Sequence, residues 1–70
     1  MALNQADIDL VTLARLARAV AFISGAGHPV TMALNKAVES TSAPDIRHAR
    51  LLFLQMKPGL RKAAFAMIGA

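Results

Sequence analysis

Three breaks divide this chain into four stretches, and they constrain its fold more than any other feature. They are GAGHP at 25–29, STSAP at 40–44, and Pro58-Gly59. Glycine ends helices in the left-handed conformation, while proline starts a helix readily but disfavours helical geometry in the residue before it. Apolar residues recur between the breaks with helical spacing, and no alternating strand pattern is present. We therefore predict an all-α fold, a small bundle of about four short helices near 4–24, 29–40, 43–57 and 58–68.

Two of these helices begin with a capping pattern. Asn4 and Asp7 have the spacing of an N-cap followed by an acidic N3 residue, and Ser42 and Asp45 repeat it. The pattern predicts that Asn4 caps the first helix and that Ser42 caps the third.

The length of 70 residues predicts a single helical domain over 1–70. A core of this size leaves about 3–5 kcal/mol of net stability, so a dimer would be a natural way to complete the bundle. The absence of cysteine fits a reducing compartment, no secretory signal is visible, and glycine and proline interrupt the longest uncharged stretch, 19–35. We expect a soluble, cytoplasmic protein.

Helical periodicity also predicts the core. The residues expected to be buried are Leu13, Leu16, Val20, Leu34, Phe53, Met56 and Met67. In the second helix we expect four polar residues to face outward: Thr31, Asn35, Lys36 and Glu39.

The third helix carries more apolar residues than one core face requires. Its core stripe comprises Ile46, Ala49, Leu52, Phe53 and Met56. The opposite arc is polar except for Leu51 and Leu54, which a monomer of this size has difficulty burying. This surplus favours a binding partner.

Charge points to the same part of the chain. Residues 1–44 have no net charge, so the formal +4 lies entirely within 45–70. A basic surface favours acidic partners, and arginine together with large apolar side chains is typical of interface centres. The predicted partner-binding residues are Arg47, Arg50, Leu51, Leu54, Lys57, Arg61 and Phe65. A second candidate surface on the first helix comprises Val11, Arg15, Arg18 and Phe22.

The sequence offers little support for catalysis or a cofactor. His28 and His48 are far apart and there is no thiol, so we expect no metal site; His28 is expected in a loop or cap and His48 in solvent. No local signature marks a nucleophile, and a domain this small is expected to leave little room for a pocket of a few hundred Å³. We expect neither an enzyme nor a bound cofactor.

One stretch, AFISGAGHPVTMALN at 21–35, resembles a repressor-type helix-turn-helix, with a turn that departs from the pattern by one residue and contains Pro29. The resemblance implies a DNA-binding regulator with a degenerate motif at 17–40. Thr31, Asn35 and Lys36 would then face the DNA groove, and Arg15 and Arg18 the phosphates.

Three function classes therefore remain. The leading one is a small non-enzymatic protein-binding module, a regulator, adaptor or inhibitor, that uses the basic and apolar surface of the third and fourth helices. Its partner would be another protein with an acidic surface, or a second copy. The first alternative is the DNA-binding regulator, for which nucleic acid is the partner. The second is a cationic membrane-active bundle, since the chain is similar to bacteriocins in composition only, but the missing Trp and acidic N-terminus argue against a membrane.

Overall fold

The computed structural model describes the backbone of residues 5–69 and the side chains of residues 10–69. Four helices make up this part of the chain: α1 (Gln5–Ser24), α2 (Pro29–Ser40), α3 (Ala43–Leu54) and α4 (Pro58–Met67). They confirm the all-α prediction, and no strand occurs within 5–69. The predicted cap at Asn4 lies outside the described residues.

Two hydrogen bonds that involve side chains help to close the corner between α1 and α2. Gly25 adopts a φ of 100°, which glycine tolerates best, and ends α1. His28 is the N-cap of α2, where its Nδ1 accepts a hydrogen bond from the Val30 N–H at 3.1 Å, so its expected capping role is confirmed. Thr31 donates from its hydroxyl to the Gly25 carbonyl oxygen at 2.9 Å and is fully buried. The prediction that Thr31 faces outward is wrong, because the end of α1 offers this hydroxyl an acceptor inside the fold.

The corner between α2 and α3 is built from hydroxyl groups. Thr41 ends α2 in the left-handed region, with a φ of 54°. Ser42 is the N-cap of α3 and its Oγ accepts from the Asp45 N–H at 3.3 Å, as the sequence predicts. Ser40 donates to Asp45 Oδ2 at 2.6 Å, so the side chain of Asp45 is held at this corner.

Helix α3 ends three residues before the predicted position. The N–H of Gln55 donates to the Leu52 carbonyl oxygen at 3.1 Å, and that of Met56 to Phe53, also at 3.1 Å. These tighter, 3₁₀-type bonds close the last turn of the helix. Lys57 is extended and precedes Pro58, the first residue of α4, as expected for a residue before proline.

The helices do not all pack against each other. α2 packs against both α1 and α3, and α4 packs against α1, whereas α1 and α3 make no comparable contact. The buried apolar residues between them are Leu13, Leu16, Ala17, Ala19, Val20, Val30, Leu34, Ala37, Ala49, Phe53, Met56 and Ala64. Six of the seven residues predicted for the core are therefore buried.

Met67 is the exception, since it is 50% exposed. Ala64 is the fully buried residue of α4, with Leu60, Arg61 and Ile68 half-buried beside it. The inward arc of α4 thus extends towards Arg61 rather than towards Met67. α4 has only 10 residues and packs mainly on α1. The apolar pattern of so short a helix does not determine which of its faces turns towards α1.

Candidate functional site

The outward face of α3 is apolar at its centre. Leu51 and Leu54 lie one turn apart and are 56% and 60% exposed, although Ala49 and Phe53 on the opposite face are buried. Arg47 and Arg50 are exposed on the same face as the two leucines. The bundle therefore leaves this second face of α3 outside its core.

Beside this face, an open groove runs between α1, α3 and α4 and has a volume of about 340 Å³. α1 and α3 flank it because no helix fills the space between them. Its lining residues are Thr12, Leu13 and Leu16 from α1, Arg50, Phe53 and Leu54 from α3, and Phe65 from α4. The expectation that so small a domain leaves little room for a pocket is wrong for this reason.

Two aromatic rings shape the groove. Phe53 and Phe65 meet edge to face, with ring centroids 5.4 Å apart and planes at 86°. This arrangement suits the aromatic quadrupoles and holds Phe65 in place although it is 39% exposed. The pair therefore gives the groove an ordered apolar wall.

The structure brings together only some of the predicted binding residues. Arg50, Leu54 and Phe65 share the groove, and Arg47 and Leu51 lie on the adjoining outward face of α3. Lys57 does not join them, because it lies beyond the C-terminal end of α3 and lines a separate hollow with His28 and Leu60.

Arg61, another predicted binding residue, also lies outside the groove. It borders a shallow hollow with Lys62 and Phe65, and is only half-exposed. Its Nε is shielded from water and has no hydrogen-bond acceptor within the described residues. Part of the Arg61 side chain is therefore buried, although the residue borders this hollow.

Sequence reasoning missed four groove residues as site residues: Thr12, Leu13, Leu16 and Phe53. Three of them were predicted for the core, which is correct, but each also presents one side to the groove. No sequence pattern shows that α1 and α3 stay apart, so no local signal could have found this groove.

The charged residues described on this surface, Arg47 and Arg50, are both basic. Asp45 is the sole acidic residue after residue 44, and its carboxylate is engaged at the α2–α3 corner. The hydrogen bond from the Ser40 hydroxyl, followed by that of Ser42, lowers the pKa of Asp45 below its usual 3.8. Asp45 therefore stays ionised at neutral pH but lies at the opposite end of α3 from the groove.

The second candidate surface also forms. Val11, Arg15, Arg18 and Phe22 are all exposed along one stripe of α1, and Phe22 is 81% exposed. Arg15, Arg18 and Phe22 border a hollow that Met67 also lines. The methionine that was expected in the core thus extends this surface instead.

One of the three residues that the helix-turn-helix resemblance places in the DNA groove does not face outward. Asn35 and Lys36 are exposed on α2, but Thr31 is buried and bonded to Gly25, so it cannot reach a DNA base. His48 is exposed, as expected.

Residues 10–69 contain no group of three His, Asp or Glu side chains placed to bind a metal ion. No helix in the described part of the chain combines the length and the apolarity needed to cross a membrane.

No protein-family model, curated protein or solved structure matches this chain.

Proposed function

We propose that this protein is a small non-enzymatic binding module that docks onto another protein through α3 and α4. The observation that supports this proposal is the exposure of Leu51 and Leu54 on a helix whose opposite face is already buried. Single exposed apolar residues are common, but a group of them beside an apolar groove is typical of interaction surfaces.

The surface has the composition of an interface centre. Arg47, Arg50, Leu51, Leu54 and Phe65 combine guanidinium groups with large apolar side chains, and binding energy often concentrates in such residues. Helical side chains supported by a packed core lose little freedom on binding.

Charge favours an acidic partner over a second copy of the chain. Symmetric pairing of this face would bring Arg47 and Arg50 of two copies close together, and residues 46–70 offer no acidic residue to separate them. Like charges across an interface oppose association, whereas an acidic face gains specificity and association rate. The proposed partner is therefore a protein that presents carboxylates around an apolar patch.

A peptide-display selection tests this proposal without a known partner. The immobilised protein is exposed to a library of random peptides of about 16 residues, long enough for four helical turns. Selection is repeated on Leu51→Gln/Leu54→Gln, which removes the apolar centre but keeps good helix formers. The matched control is Val11→Gln/Phe22→Gln, which removes two exposed apolar side chains from the second surface.

We expect enriched peptides that combine Asp or Glu with large apolar residues, retained by the control variant and lost on the α3 variant. Equal enrichment on the α3 variant, or enrichment of basic peptides, would contradict the proposal. Circular dichroism of each variant confirms that it is folded before selection.

A further inference from the structure

We infer that the groove between α1, α3 and α4 receives an acidic amphipathic helix of the partner, which inserts a pair of apolar side chains spaced i and i+4. This inference rests on the proposed function and deepens it, because it names both the docking position and the form of the bound segment. The argument depends on the length of the groove, its polarity and its charge.

The length of the groove matches one helical turn. On α1 its lining runs from Thr12 to Leu16, and on α3 from Arg50 to Leu54. Four residues of helix rise about 6 Å, which is also the separation of side chains at i and i+4 on an incoming helix. The groove therefore accommodates two neighbouring anchors, and the exposed Leu51 lies outside it for further contact.

The low polarity of the groove favours a helix over an extended segment. Thr12 and Arg50 are its two polar lining residues, and the other five are apolar. An extended peptide would bring backbone N–H and C=O groups that this lining could not satisfy, while an α-helix satisfies its own. The described residues contain no strand edge to which a peptide could add.

The position between α1 and α3 also suits a helix. Both helices turn apolar side chains towards the groove, Leu13 and Leu16 from one side and Phe53 and Leu54 from the other. Side chains of α1 and α3 share the core, but the two backbones approach each other far less than those of α1 and α2, so the groove lies where these helices are spaced apart. A helix laid there would cover Leu54 and Phe65, which are 60% and 39% exposed, above a floor formed by the buried Leu13, Leu16 and Phe53.

The basic residues around the groove favour acidic residues in the bound helix. Arg50 lines the groove, Arg47 lies one turn before it on α3, and Lys62 lies beside Phe65 on α4. No described lining residue is acidic. Helices of a second copy fit poorly, since the exposed stripe of α1 carries Arg15 and Arg18 and would add positive charge to this rim.

The test uses a designed helix rather than an unknown partner. The probe is a capped peptide of about 14 residues with leucine at i, i+4, i+7 and i+11 and glutamate on the flanks, labelled with fluorescein. One control peptide replaces every glutamate by lysine, and another keeps the composition in scrambled order. Methyl NMR spectra of the 7.4 kDa protein, titrated with unlabelled peptide, report where each peptide binds.

A matched pair of variants separates the groove from the rest of the surface. Thr12→Trp places a large side chain into the groove, while Val11→Trp adds the same side chain one residue away, on the exposed stripe of α1. Fluorescence anisotropy of the labelled peptide gives the dissociation constant for the wild type and both variants.

We expect the acidic peptide to shift the Leu13, Leu16 and Leu54 methyl resonances and to bind Thr12→Trp at least about tenfold more weakly than Val11→Trp. The lysine and scrambled peptides should bind at least about tenfold more weakly than the acidic one. Shifts at Leu51 without shifts at Leu13 and Leu16, with equal affinity for both tryptophan variants, would overturn the groove assignment but leave the α3 surface intact.

Absence of any binding by the acidic peptide would overturn the inference as well. The display selection would then decide the proposed function independently, because it does not presuppose a helix. If Thr12→Trp fails to fold, the methyl shifts of the wild-type protein alone decide the question.

Discussion

The three phenylalanines offer a graded test of the fold, because the same substitution meets three different environments. Phe53 is 4% exposed, Phe65 is 39% exposed and Phe22 is 81% exposed. We consider Phe→Ala at each position, with the free energy of unfolding as the measured quantity. The three substitutions remove the same atoms, so the differences between them report packing.

Phe53→Ala should lower the free energy of unfolding by about 3–5 kcal/mol, since it deletes a buried ring and leaves a cavity among core residues. The net stability of a domain this small is also about 3–5 kcal/mol. The variant should therefore be largely unfolded at room temperature, with a greatly reduced helical signal.

Phe65→Ala should lower the free energy of unfolding by about 1–3 kcal/mol. Roughly 60% burial of a side chain worth about 1.5–3 kcal/mol contributes about 1–2, and the lost edge-to-face contact with Phe53 adds about 0.5–1.5. Phe22→Ala should change it by no more than about 0.5 kcal/mol, because an exposed side chain leaves no cavity.

Urea titrations followed by circular dichroism measure all three variants, with the slope m checked for constancy. Phe53→Leu retains enough stability for a double-mutant cycle with Phe65→Leu, which should show a coupling of about 0.5–1.5 kcal/mol. Equal effects of Phe22→Ala and Phe53→Ala would refute the helical phases described for α1 and α3. Zero coupling in the cycle would refute the ordered aromatic wall of the groove.

Further expectations concern the α3 surface and the two corners. Leu51→Gln/Leu54→Gln should cost about 1–2 kcal/mol in urea titrations, since each side chain is less than half buried; a loss above about 4 would place both leucines in the core. The pKa of Asp45 is lowered in the folded state, so its ionised form stabilises the fold above the usual pKa of 3.8, and this stability is lost as the pH falls through the folded pKa. Melting temperatures across that acidic range should fall less steeply for Asp45→Asn than for the wild type, and identical slopes would contradict the hydrogen bonds assigned to this carboxylate. Thr31→Val should cost about 1 kcal/mol through loss of its hydrogen bond to Gly25, whereas a gain in stability would show that this bond contributes nothing.

Helix number and the outward leucines were predictable because both depend on local information. Gly25, Pro29, Pro44 and Pro58 mark the interruptions between helices, and a 3.6-residue period decides which face of a long stretch is apolar. The outward position of Leu51 follows from the same period.

The groove could not be predicted because it depends on which helices meet. Leu13 and Phe53 belong to the core in any arrangement, but they border an opening only because α1 and α3 remain apart. Met67 was placed in the core because a short helix does not fix its own rotation against α1. Thr31 was placed outside because its acceptor, the Gly25 carbonyl, is provided by the end of another helix.

Thr41 is a position at which a single substitution should stabilise the fold. A β-branched residue with a φ of 54° is strained, and glycine at this left-handed position relieves the clash of Cβ with the backbone. We expect Thr41→Gly to raise the free energy of unfolding by about 1 kcal/mol. An unchanged or lower urea midpoint would contradict this expectation. Thr41 lies at the corner away from the groove. In the glycine background, variants with small losses such as Thr31→Val should therefore regain stability, while variants defective in docking should keep their defect.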